Sequence, residues 1–157
     1  MSIISCIKME DRSSSRAVAP VDVLQSVLAA LNQRNISRAV DHFADDFAFK
    51  DYGLNLEFTD KGRLTQFFQK SFELFPDALV ELVSTLQCGD YAIAECKLTA
   101  TEPESLGSIS YRLPIVLRGA TVAQIENGRA VRWSDYYDQL TSRRVRLGAF
   151  FEEWIEY

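Results

Sequence analysis

Phe47-Ala48-Phe49-Lys50-Asp51-Tyr52 is the point at which the sequence changes its period. In this hexapeptide Phe47, Phe49 and Asp51 fall on one face of an extended chain, and Lys50 and Tyr52 on the other. Upstream the pattern is helical. Leu24, Val27, Leu28 and Leu31 recur at i, i+3, i+4 and i+7, and Pro20 suits a first helical turn. Ile36, Ala39, Val40 and Phe43 make a second stripe behind Asn35, a candidate N-cap. Just downstream, Asp60 can cap a third helix whose buried stripe is Leu64, Phe67, Phe68, Phe72 and Phe75, with Pro76 as its stop. Period two then returns and predicts strands over 78–87, 91–101, 109–125 and 129–138. Turns are expected at Cys88-Gly89-Asp90, between Pro103 and Gly107, and at Glu126-Asn127-Gly128, where Asn-Gly readily takes positive φ. Helices first and strands afterwards predict an α+β fold of three N-terminal helices packed on a curved, mostly antiparallel sheet.

The chain has 157 residues, 47% of them hydrophobic, which is enough for one substantial core and too little for two typical domains. Residues 1–19 carry Ser13-Ser14-Ser15 and charges without periodicity, so they are expected to be a flexible leader; the domain runs over 20–138. The segment 139–157 is an amphipathic tail whose Phe150, Phe151 and Trp154 are expected to pack on a pocket mouth or a partner subunit. A net charge of −5 without a basic stripe disfavours nucleic acid; Arg143, Arg144 and Arg146 are followed closely by Glu152 and Glu153. No stretch approaches a membrane span, and the apolar start is broken by Lys8, Glu10 and Asp11. Cys6, Cys88 and Cys96 lack CxxC spacing, which suggests neither a disulfide framework nor a thiolate metal site, and a cytoplasmic location is expected. One histidine, His42, beside a buried helix stripe is read as a boundary residue, and no metal or other cofactor is expected.

Two strands present small apolar faces: Ala92, Ala94, Cys96, Leu98 and Ala100 in one, and Leu113, Ile115, Leu117, Gly119, Thr121 and Ala123 in the next. Small side chains beneath helices either leave a pocket or receive large residues such as Phe67, Phe68, Phe72 and Trp133. In the last strand Val131, Trp133, Asp135 and Tyr137 share a face. An inward Asp between aromatic residues needs an account, because an unpartnered buried carboxylate is costly and shifts its pKa. Catalysis is one account; a hydrogen bond to a neighbouring Tyr or amide is the other.

Leu28-Ala29-Ala30-Leu31-Asn32, His42-Phe43-Ala44-Asp45-Asp46, Phe75-Pro76-Asp77, Asn127-Gly128 and Trp133-Ser134-Asp135-Tyr136-Tyr137-Asp138 resemble the motifs of SnoaL-like polyketide cyclases and ketosteroid isomerases. The resemblance implies the cone-shaped nuclear-transport-factor-2-like fold, which hosts isomerases, cyclases, dehydratases, epoxide hydrolases and binding domains. It places Asp51 where ketosteroid isomerases keep a proton-moving carboxylate, and puts Val27 and Thr121 where they keep their oxyanion donors. It also places Asp135 where limonene-epoxide-hydrolase-like enzymes keep an acid or base, with Cys96 and Leu98 where those enzymes carry Arg and Asp. The resulting expectation is a cofactor-free enzyme that isomerises or cyclises an apolar carbonyl compound. Asp51 and Asp135 would be catalytic, Tyr137 or Thr121 would donate to a developing oxyanion, and Phe49, Cys96, Leu98, Leu117 and Trp133 would bind substrate. The rival is a non-catalytic ligand-binding or dimerisation module. A homodimer pairing through the outer sheet face is also implied, with Ile93, Val116, Arg118, Val122, Gln124 and Tyr136 on it.

Overall fold

A computed structural model describes residues 18–106 and 109–138, with the side chains of 102–113 left aside. The basic cluster and the amphipathic tail, and all but the end of the leader, lie outside these residues. In chain order the elements are α1 (Pro20–Asn32), α2 (Ile36–Asp41), β1 (Phe43–Asp51), β2 (Leu56–Phe58), α3 (Lys61–Leu74), β3 (Leu79–Cys88), β4 (Tyr91–Leu106), β5 (Ile109–Glu126) and β6 (Arg129–Tyr137). The strands form one sheet in the order β2-β1-β6-β5-β4-β3. Every neighbouring pair is antiparallel except β1 and β6.

The local signals behave as their chemistry dictates. Pro20 opens α1, the Asn35 side chain accepts from the Arg38 amide at 3.1 Å, and Asp60 accepts from the Arg63 amide at 2.8 Å. Asn127 and Gly128 both take positive φ in the β5–β6 turn, as a tight hairpin requires. Three expectations change. Phe43 is not in α2; it begins β1, fully buried, and a register shift between Phe43 and Ala48 lets it pack edge-on against Phe47 at 5.2 Å. The short β2 pairs with β1 through Phe49 and Phe58, a strand too brief for its period to be read. Strand β4 runs on through Pro103 to Leu106, where a turn was expected, because it stays paired with β5 along that stretch. The cysteine spacing also misled: Cys88, which ends β3, is disulfide-bonded.

The core lies between the concave sheet face and the helices. Leu24 and Val27 of α1, Leu64 of α3, Phe43, Phe47 and Phe49 of β1 and Trp133 of β6 are essentially inaccessible. Each such side chain contributes roughly 1.5–3 kcal/mol on burial. Phe49 meets Phe68 edge-on at 5.9 Å, and Phe43 meets Trp133 at 5.5 Å, so one aromatic run joins α3 to the centre of the sheet. At the other end α1 docks on the unpaired edge of β3. Asn32 donates to the Val80 carbonyl at 2.8 Å and accepts from its amide at 2.9 Å, standing in for a further strand. Arg34 stacks over Phe72 at 4.3 Å and donates to the Pro76 and Ala78 carbonyls, fixing the turn that follows α3.

Candidate functional site

The aromatic run fills only one end of the cone. Towards β3, β4 and β5 the inward residues are small or aliphatic, and a cavity of about 570 Å³ remains between them and the helices. Leu28 and Leu31 of α1, Phe67, Phe68 and Phe72 of α3, Leu98 of β4, and Ile115 and Leu117 of β5 supply its apolar walls. Phe67, Phe68 and Phe72 therefore line the space without closing it. Of the expected substrate-binding residues, Phe49, Leu98, Leu117, Trp133 and Tyr137 reach the cavity, whereas Cys96 and Thr121 are buried and do not line it.

Both expected carboxylates do reach it. Asp51 ends β1 and Asp135 lies in β6, and the parallel register sets them directly beside one another. Adjacent strands are about 4.8 Å apart, so the two carboxyl groups occupy one end of the cavity together. The Tyr52 amide donates to the Asp135 carbonyl at 2.9 Å and fixes this register beyond the last paired residue. The side chain of Asp51 accepts from the Leu54 amide at 2.8 Å. That of Asp135 accepts through Oδ1 from Thr121 Oγ1 at 2.6 Å and from Trp133 Nε1 at 3.0 Å.

These surroundings separate the two acids. Burial raises the pKa of Asp51, and the amides of Leu54 and Gly53 oppose the rise by stabilising its charge. Asp135 is pushed up to about 7, chiefly by burial and further by the charge of Asp51, against the stabilising hydrogen bonds from Thr121 and Trp133. Although Asp135 shows more accessible surface than Asp51, that surface faces an apolar cavity, while Asp51 adjoins the exposed turn over 52–55. Asp135 is thus the more desolvated carboxyl. Tyr137 lines the cavity one step along the same face, and burial, followed by the nearby Asp135, moves its hydroxyl well above the ordinary phenol range. Its ring lies over Gly119 of β5, where an added Cβ would come within 2.7 Å of the ring and 2.3 Å of the Tyr136 carbonyl oxygen. Burial likewise raises the Cys96 thiol.

Thr121 has a different place from the one expected. Its single hydroxyl proton goes to Asp135, so it is not a donor to a substrate oxyanion. Val27 is buried behind the cavity wall. His42 caps α2 away from the cavity, and burial and Arg38 lower its pKa. Among the described residues no cluster of His, Cys, Asp and Glu could hold a metal, and no helix is long and apolar enough to cross a membrane. Sequence reasoning missed Leu54 and Lys70 as cavity residues. Leu54 lies in the β1–β2 turn, and Lys70 is a charged residue of α3 that no hydrophobic pattern marks.

A cone of helices on a curved sheet, with acidic groups inside an apolar cavity, is the architecture of the nuclear-transport-factor-2-like fold. The SnoaL-like domain model matches residues 24–133, and the chain belongs to that family. IdmH, a polyketide cyclase candidate from Streptomyces antibioticus, superposes with a TM-score of 0.71 at 20% identity, covering 82% of this chain and 98% of that one. A SnoaL-like polyketide cyclase candidate from Shewanella denitrificans gives a TM-score of 0.70 at 16% identity over 82% and 97% of the two chains. A protein of ketosteroid isomerase-like fold from Catenulispora acidiphila, in complex with trimethylamine, gives 0.67 at 15% over 76% and 88%. At these identities the likeness establishes the fold. No curated protein matches the sequence.

Proposed function

We propose that this SnoaL-like domain is a small-molecule enzyme that isomerises or cyclises an apolar carbonyl compound by acid–base catalysis without a cofactor. One observation carries the reading: two carboxyl groups in register at the end of an apolar cavity, with Asp135 pushed up to about 7 chiefly by burial and the rise at Asp51 opposed by main-chain amides. Asp51, held by main-chain amides, is the base. It removes a proton from carbon beside the substrate carbonyl while Asp135 gives its proton to the carbonyl oxygen, which yields an enol and moves the charge to Asp135. Return of the first proton to a different carbon, with Asp135 recovering the hydroxyl proton, completes an isomerisation. Attack of the enol carbon on a second carbonyl of the same molecule gives a ring instead: the π bond of that carbonyl breaks, its oxygen takes the proton held by Asp51, and the enol hydroxyl returns its proton to Asp135. Tyr137 is a further hydroxyl group on the cavity wall, one step along the strand from Asp135. Phe49, Leu98, Leu117 and Trp133 hold the apolar body of the substrate.

The test is a thermal-shift screen with hydrophobic carbonyl compounds, followed by product analysis for each ligand found. Asp51→Asn and Asp135→Asn should each slow turnover by roughly 10²–10⁴-fold. Equal turnover by wild type and both variants would sink the acid–base reading. Binding without conversion would favour the non-catalytic module, which the largely apolar lining also suits. We also propose pairing of two copies through the outer sheet face, where Ile93, Val116 and Tyr136 are 37%, 41% and 42% exposed. A monomeric mass in solution at micromolar concentration would exclude it.

A further inference from the structure

The acid–base reading leaves open which oxygen of Asp135 handles the proton, and the hydrogen bonds around that carboxyl divide its oxygens unequally. Thr121 and Trp133 both donate to Oδ1, at 2.6 and 3.0 Å. Among the described residues Oδ2 has no such partner. Among the described residues no shielded side-chain oxygen or nitrogen lacks a hydrogen bond, so Oδ2 keeps accessible surface, and Asp135 lines the cavity. We propose that Thr121 and Trp133 are positioning residues that hold the Asp135 carboxyl with Oδ1 as a saturated acceptor and leave Oδ2, facing the cavity, as the oxygen that carries and exchanges the proton.

The chemistry of the donors supports this division. Indole Nε1 can only donate, so Oδ1 must accept from Trp133 whatever the protonation state of the acid. A proton on Oδ1 would weaken that acceptor and crowd a third hydrogen between two donors. A proton on Oδ2 meets no competing donor and points to the space where substrate sits. The scaffold fixes both donors. Thr121 lies directly opposite Asp135 in the β5–β6 pairing, and Trp133 lies two residues earlier on the same face, its ring held against Phe43. Both side chains are fully buried, so neither has an alternative partner in solvent. Rotation of the carboxyl by half a turn, which would exchange its oxygens, would bring the proton-bearing oxygen under both donors.

The proposal is tested by following the Asp135 side-chain carbon by ¹³C NMR across pH in the full chain. Titratable or charged groups facing this carboxyl are Asp51 from β1, Cys96 from β4 and Tyr137 from β6, with Lys70 of α3 also lining the cavity. Each donated bond stabilises the ionised form, so Thr121→Val should raise the Asp135 midpoint by about 1–2. Trp133→Phe should raise it similarly, and Thr121→Ser, which keeps the hydroxyl, should leave it near that of wild type. Asp51→Asn should lower it by removing a like charge. A Thr121→Val protein with a native spectrum and an unmoved midpoint would overturn the assignment. So would a Thr121→Ser midpoint matching that of Thr121→Val, since the hydroxyl that Ser keeps and Val lacks would then not be what sets it. If Thr121→Val does not fold, Trp133→Phe decides by the same criterion. This titration needs no substrate, so a carbonyl screen without products would overturn the acid–base reading while leaving the carboxyl geometry to be judged separately.

Discussion

Replacing Asp135 by Asn should change how the stability of the domain depends on pH, and the sign follows from the site. In the fold the carboxyl titrates at about 7, against 3.8 for an ordinary Asp. Below 3.8 it is protonated in both folded and unfolded chains and favours neither. As pH rises towards 7 the unfolded chain releases the proton and the folded one keeps it, so folding becomes progressively less favourable. Above 7 the full penalty is present. With about 1.36 kcal/mol for each pH unit between the two values, it reaches about 4 kcal/mol. Asn imitates the protonated acid: its oxygen can accept from Thr121 and Trp133, and its amide group takes the place of Oδ2–H. The variant should therefore match wild type near pH 4 and exceed it by up to about 4 kcal/mol at pH 8. Urea denaturation of both proteins at intervals between these pH values measures the difference directly, and the titrations of Asp45, His42 and other distant groups cancel in it. A constant difference across the range, or a gap that widens towards acid pH, would refute the assignment of Asp135 as a desolvated carboxyl beside Asp51.

Gly119→Ala should destabilise by about 3 kcal/mol, because its Cβ would lie 2.3 Å from the Tyr136 carbonyl oxygen, a main-chain atom unable to turn aside. In a domain of this size that lowers the melting temperature by roughly 6–12 °C, and a melting curve within 2 °C of wild type would contradict it. Asn32→Ala removes both partners of the Val80 main chain at the β3 edge. It should cost about 1–3 kcal/mol and speed amide hydrogen exchange at Val80, and unchanged exchange there would show that the edge is held by other contacts.

Much of this arrangement was legible before any coordinates, for local reasons. The stripe Leu24, Val27, Leu28, Leu31 and the caps Asn35 and Asp60 depend on side chains within a turn or two of one another, so the helices follow from spacing. Alternation placed Asp51 with Phe49, and Asp135 with Trp133, on inward faces, because a strand can only send neighbouring residues to opposite sides. Where periods break, the reading failed. Phe43 fitted a helical stripe equally well and was taken into β1 by its pairing with Ala130 of β6, a choice no local pattern expresses.

The sequence by itself thus determined the class of fold and the two acids that line its interior. Only the tertiary structure decided that those acids are neighbours. The parallel register of β1 and β6 joins segments far apart in the chain, and it alone sets Asp51 against Asp135. The β5–β6 register in turn sets Thr121 opposite Asp135 and gives its hydroxyl proton to that carboxyl. Which helix residues meet the small side chains of β4 and β5, and so whether a cavity remains, depends on how α1 and α3 dock, through contacts such as Asn32 with Val80. Periodicity specifies the face a residue occupies; it carries no information about what stands across from that face.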